Sequence, residues 1–318
     1  MTVGRRRPVS AGAKHSRAGS PAPEYFRANA SPLPRTTGSP LPRPTVRRRK
    51  RPPGELLGGL GIVGLFGLVA LLAPALAPYD PLATDPQNAY VAPGAGHPFG
   101  TDRFGMDVFS RVLHGARVDL WIVAAATAMA AGLGIALGAG MGFRAGALDW
   151  WAMRLLEMVQ AFPTLILAMA VVAALGQDSR NVIAVMAVIG IPYYARLVRA
   201  EVMLRRGWPF VEAARALGCG QLRILVRHLL PNCLGSAIAY AAVNAAWALL
   251  VAAGLGFLGL GARIPTPEWG LMISMGATNV VTGEWWVAFF PGAAIVLLTT
   301  GLYLLADGLR DWLDPRTE

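Results

Sequence analysis

Six apolar segments, each near the length that crosses a bilayer, constrain this chain more than any other feature. They run about Leu56–Ala77, Val118–Gly142, Leu155–Leu175, Val182–Val198, Cys233–Ala253 and Phe290–Ala306. A helix rises 1.5 Å per residue, so roughly 20 residues cover about 30 Å of hydrocarbon. Lipid offers no hydrogen bonds, so a spanning segment must satisfy its own backbone, which a helix does. The chain therefore reads as an all-α membrane protein with six transmembrane helices. A hydrophobic content of 54% is too high for a soluble domain of 318 residues. The fourth segment is short and the fifth only weakly hydrophobic.

Charge fixes the orientation and splits the chain. Residues 1–54 hold 13 Lys/Arg against one acid, Glu24, while the remaining 264 residues hold 16 Arg and 17 acids. The net charge of +11 thus belongs to a tail rich in Pro, Ser, Gly and Arg, too poor in large aliphatics to fold. Its last cluster, Arg47 to Arg51, precedes the first span and serves as an orientation signal or an attraction to anionic lipid headgroups. With the N-terminus inside, 24 of the 29 Lys/Arg lie inside and 5 outside, so both termini are expected to be cytoplasmic. The tail has no folded module and no aromatic–basic alternation, which argues against a nucleic-acid partner. The expected organisation is a disordered basic tail (1–54), a first span with its outside loop (55–117), a membrane core (118–307) and a cytoplasmic C-terminus (308–318).

Catalytic patterns are absent. The only lysines, Lys14 and Lys50, lie in the tail, so no Walker A loop can form and the chain is not expected to hydrolyse ATP. It has neither a Gly-x-Ser-x-Gly elbow nor a His-Glu-x-x-His pair. His97, His114 and the acids of the outside loops show no compact metal-ligand spacing, so no metal is expected. Cys219 and Cys233 read as free thiols. A secondary carrier would bury ionisable groups in mid-span, whereas Glu157 and Asp307 lie near span ends.

Between the fourth and fifth spans lies a charged cytoplasmic loop, 199–231, built like a docking device. Phe210, Ala213, Ala214 and Leu217 fall at i, i+3, i+4 and i+7, one face of a helix. Gly218-Cys219-Gly220 supplies a turn, and Leu222, Leu225, Val226 and Leu229 repeat the spacing on a second helix that Pro231 is expected to end. Two short amphipathic helices joined by a glycine turn predict an elbow offered to a partner. Glu212 and Arg215, three apart, can pair with each other or with that partner.

Three further patterns lie in the spans. Ser236, Tyr240 and Asn244 fall at i, i+4 and i+8 of the fifth, with Trp247 three residues on. This stripe either lines a hydrated path for a polar solute or makes interhelical hydrogen bonds. Gly134, Gly138 and Gly142 form a small-residue ridge for close packing, within the subunit or across a dimer. Pro163 is expected to kink the third span.

The string Glu212-Ala213-Ala214, Gly218 and Leu230-Pro231 resembles the EAA loop of ABC importer permeases. Gly100-Thr101-Asp102, Gly105-x-Asp107, Ser110-Arg111 and Gly115-Ala116-Arg117 resemble the C-type permease subunit of dipeptide, oligopeptide and nickel importers. So do Ala161-Phe162-Pro163, Phe257-Leu258-Gly259-Leu260-Gly261, Pro267-x-Trp269-Gly270 and Asp307-Gly308-Leu309-Arg310-Asp311. The resemblance covers about 55–318; the basic tail and Gly142-Phe143, where the family often has Gly-Tyr, depart from it. It implies a type I ABC importer permease fold in the cytoplasmic (inner) membrane of a bacterium or archaeon. A second, B-type permease subunit would complete a heterodimer. Two cytoplasmic ATPase subunits would bind the ATP and magnesium, and an extracytoplasmic binding protein would deliver the solute. Glu212, Ala213, Ala214 and Gly218 would then form the ATPase-coupling element, with no cofactor bound by this chain. An ion-coupled carrier and a non-transporting membrane scaffold are the competing readings.

Overall fold

The computed structural model describes residues 53–144 and 146–313. The tail and the last five residues, with the expectations placed on them, lie outside the described residues. Besides a short 3-10 turn at Pro86–Asn88, nine helices follow among those described: α1 (Gly54–Leu76), α2 (Val108–Arg144), α3 (Ala147–Gln160), α4 (Thr164–Leu175), α5 (Ser179–Arg205), α6 (Pro209–Ala216), α7 (Gln221–Phe257), α8 (Trp269–Ala277) and α9 (Trp286–Leu313). The only strand-like pairing among them is an isolated bridge, Thr101 to Asp107.

Five of these helices are long and apolar enough to cross a membrane: α1, α2, α5, α7 and α9. The third expected span is not one helix. Phe162-Pro163 breaks it into α3 and α4, bent by 87°. Proline cannot supply the N–H that would continue the ladder, and it disfavours helical geometry in the residue before it. α4, at 12 residues, reaches only about 18 Å.

Two other boundaries move outward. The fourth span, short by hydropathy, is a 27-residue helix, because Arg196 and Arg199 interrupt the apolar run without interrupting the helix. α2 starts ten residues before the apolar run does. Its first turn is held by Asp107, whose carboxylate accepts from the Ser110 N–H and hydroxyl, both at 2.7 Å.

The glycine ridge settles the core. Gly134, Gly138 and Gly142 of α2 lie against Tyr194, Ala195 and Arg199 of α5, so the ridge packs within the subunit. A Cβ on Gly134 would sit 2.5 Å from that of Tyr194, and one on Gly142 2.7 Å from the Arg199 carbonyl oxygen. No other residue lets the two backbones approach this closely. α7 packs on α2, α5 and α9, while α1 lies across α9 and α2. Leu57, Leu65, Leu68 and Leu71 of α1 are exposed on the outer surface, as lipid contact requires.

Candidate functional site

The elbow begins where α5 ends. Pro209 opens α6, a position where a missing N–H has no partner to lose. Glu212 stands in the first turn, favourable at the positive end of a helix. At the other end Gly218 adopts φ +79°. The Cys219 N–H bonds the Ala214 carbonyl at 3.1 Å and the Gly218 N–H bonds that of Arg215 at 3.0 Å. These two bonds make a Schellman turn, which needs a left-handed residue where Gly218 stands.

The anticipated single apolar face divides in two. Val211 and Ala214 turn inward, into a core with Val198, Val202, Ile224, Leu229 and Cys233. Phe210, Ala213 and Leu217 stay outside, and Leu217 is 84% exposed. An eight-residue helix tied at both ends buries only one narrow stripe, and Val211 and Ala214 are that stripe. Trp208, Leu222 and Val226 extend the exposed apolar surface, bordered by Glu212 and Arg215, which form no ion pair with each other. Glu212, Ala213 and Gly218 thus share the outward side, while Ala214 belongs to the inward one.

The second elbow helix is neither short nor ended by Pro231. Gln221 opens α7, and the chain passes through a π-helical stretch, Ile224–Leu229, directly into the long span. Proline removes one N–H from an α-helical ladder and crowds the carbonyl four residues back. The wider i to i+5 turn just ahead of Pro231 relieves that crowding. It also explains why the buried residues there, Ile224 and Leu229, stand five apart.

The polar stripe of α7 has two environments. Asn244 is buried beside Gly190 of α5, and a Cβ on that glycine would meet the Ala130 Cβ of α2 at 2.7 Å. Ser236, Tyr240 and Trp247 are half-buried. The Tyr240 ring lies 5.0 Å from Tyr194, edge-on, and 6.4 Å from Tyr193, and the Arg196 guanidinium stands 5.6 Å from the Tyr193 ring.

The outside motifs meet at the opposite end. Arg111 is fully buried, donating to the carbonyls of Pro81 (2.9 Å) and Pro265 (3.1 Å), and so ties one outer loop to the other. Asp102 stands 3.7 Å from its Nε and accepts from the Phe104 and Met106 N–H groups. Trp269 Nε1 donates to the Val112 carbonyl across Gly115, and its N–H to Asp119. His97 pairs with Asp107 at 2.8 Å. No group of His, Cys, Asp or Glu among the described residues is arranged to hold a metal.

Three buried charged groups went unread in the sequence. Glu268 caps α8, accepting from the Gly270 and Leu271 N–H groups, and Asp119 faces it from α2. Burial pushes the Glu268 carboxyl up to about 7. At the elbow end, Asp149 of α3 accepts a two-pronged contact from Arg199 of α5, at 2.6 and 2.7 Å. Each residue stands alone among apolar neighbours, and only spatial pairing distinguishes it from a span-end charge.

Comparison with known proteins agrees with this architecture. The family model for the binding-protein-dependent transport system inner membrane component matches residues 134–318, and that for the N-terminal TM domain of oligopeptide transport permease C matches residues 56–93. A dipeptide transport system permease protein of Alkalihalophilus pseudofirmus is 40% identical over 258 residues, covering 81% of this chain and 84% of that protein. A di/tripeptide transport system permease protein of Pseudomonas aeruginosa is 42% identical over 271 residues, 82% of this chain and 88% of its own length. A glutathione transport system permease protein of Escherichia coli is 39% identical over 275 residues, 85% and 89%. Nine helices, five of them long spans, an elbow between two of those spans and matches over most of the chain lead to one conclusion: the chain belongs to the binding-protein-dependent transport system inner membrane component family and is a multi-pass permease of an ABC importer.

Proposed function

We propose that this permease moves dipeptides or similar short peptides, and that the α6 elbow is where ATP-driven motion enters it. The observation that carries the coupling role is the exposed apolar surface of Phe210, Leu217, Leu222 and Val226 around a rigid Schellman turn, on an element with its own buried stripe. Such a surface is suited to a partner, and the arginine distribution puts it on the cytoplasmic side. The partner is an ATPase subunit, one of two, which binds ATP and magnesium. Ala213 lets its surface approach closely, Glu212 offers a charge at the contact, and Gly218 sets the turn; Ala214 acts from the inward face by seating the elbow. A second, B-type permease subunit completes the path, and an extracytoplasmic binding protein delivers the solute. Ser236, Tyr240 and Trp247 line that path, with Asn244 fixing α7 against α5. The peptide reading rests on the relatives, whose names specify dipeptides, di/tripeptides and glutathione.

The test is Gly218→Val and Glu212→Leu in the reconstituted importer. Valine is strained at φ +79°, so the turn should distort. The expected result is weaker co-purification of the ATPases, or ATP hydrolysis that no longer drives dipeptide uptake. Wild-type co-purification and uptake in both variants would refute the elbow's role. Uptake that persists without the ATPases but collapses with the ion gradient would establish a carrier instead.

A further inference from the structure

α3 is a 14-residue helix held to the body along one narrow face. Asp149 is its only buried residue. Leu148, Trp150, Trp151, Leu155 and Met158 are all exposed, and the apolar stripe that shares Asp149's face, Ala152, Met153, Leu156 and Val159, is only half-buried. Its main neighbours are α5 and the end of α2. The Asp149–Arg199 pair adds a directional fastening to that loose stripe. Arg199 Nε donates to one carboxylate oxygen at 2.6 Å and Nη2 to the other at 2.7 Å. A two-pronged arginine–carboxylate contact fixes direction as well as distance.

The placement of Arg199 gives this pair its meaning. Its backbone is seated on the ridge, with Gly142 against its carbonyl oxygen. Six residues further on, α5 ends at Arg205 and the elbow begins. Arg206, in that turn, adds a second positive charge toward Asp149. At its other end α3 runs into the Phe162-Pro163 break and so into α4, which packs on α5 and α7. A displacement of the elbow end of α5 has a stiff path into α3 through this pair, and from α3 through the break into α4.

We infer that Asp149 and Arg199 are positioning residues that make the broken helix α3–α4 follow the elbow, so that docking motion reaches the membrane interior by a second route besides α5 and α7. The inference rests on the elbow reading above. The alternative is that the pair only holds α3 in place, with no part in the motion.

The experiment uses the complete importer in nanodiscs, in a Cys219→Ala, Cys233→Ala background. Spin labels go on Leu71→Cys of α1 with either Trp151→Cys of α3 or Ala216→Cys of the elbow. Pulsed electron–electron distances are measured without nucleotide and with ATP–vanadate. With the native pair, both distances should shift with nucleotide. With Asp149→Asn, the elbow shift should persist while the α3 shift falls by at least half. The double reversal Asp149→Arg, Arg199→Asp should restore it, which a structural loss would not. An α3 shift undiminished in Asp149→Asn, or not restored by the reversal, overturns the inference. An elbow shift without any α3 shift in the otherwise native chain overturns it and leaves the elbow reading standing. No elbow shift at all overturns both.

Discussion

Alanine at Gly138 tests the glycine ridge directly, because a matched control lies two residues away. A Cβ on Gly138 would stand 2.9 Å from the Ala195 Cα and closer still to the Ala195 carbonyl oxygen, whereas ordinary contact begins at 3.4 Å. Both obstacles are backbone, so no side chain can swing aside. α2 and α5 must then separate by roughly half an ångström or more along a ridge that also seats Gly134 and Gly142. Overpacking of this kind costs about 1–3 kcal/mol. Gly140, in the same helix, faces open space. Its replacement by alanine carries the same gain in helix propensity, up to about 1 kcal/mol, without the clash. The difference between the two variants isolates the packing term. At about 2–4 °C per kcal/mol for a chain of this size, Gly138→Ala should melt some 2–12 °C below Gly140→Ala in detergent. Thermal unfolding followed by tryptophan fluorescence reads this. Equal melting temperatures would refute close backbone packing between α2 and α5.

Arg111→Met removes the tie between the outer loops and leaves the Asp102 carboxylate buried without its cation; a loss of about 3–5 kcal/mol is expected, seen as faster proteolysis within 254–268. Glu268 titrates higher folded than unfolded, so the unfolded state sheds its proton first. Stability from this group should be full below about pH 4.5, fall as pH rises toward about 7, and stay level above. Glu268→Gln should make that slope shallower; an unchanged pH profile would contradict the burial of an ionisable carboxyl there. Tyr240→Phe and Asn244→Leu should each lower dipeptide uptake several-fold with the complex still assembled. Full uptake in both would remove the stripe of α7 from the solute path.

Apolar length made the long helices legible in advance, because hydropathy and bilayer thickness leave few options. The glycine spacing announced a close contact but not its partner; only the fold brings Ala195 and Arg199 to it. Pro163 announced a disturbance, and the 87° bend exceeds the kink expected because Phe162 and Pro163 both leave helical geometry. Pro231 misled, since a proline marks a helix end only when no wider turn absorbs it. At the elbow, periodicity located the helix but not its inward side, which depends on how α5 and α7 meet. Asp119, Asp149 and Glu268 were opaque for a simpler reason. A lone acid in apolar sequence gives no sign of its partner, and theirs lie 149, 50 and 149 positions away in the chain.

The π turn at Ile224–Leu229 has a consequence for how the elbow is aimed. Such a turn holds one residue more than an α-helix would, and one residue corresponds to about 100° of rotation and 1.5 Å of advance. Everything upstream of it, the elbow included, is therefore phased a quarter-turn or so away from where a regular helix would carry it. The compass bearing of Phe210 and Leu217 thus depends on six residues outside α6 as well as on the Val211–Ala214 stripe within it. A single-residue deletion there would spare every residue of α6 and still shift the seat on which it rests.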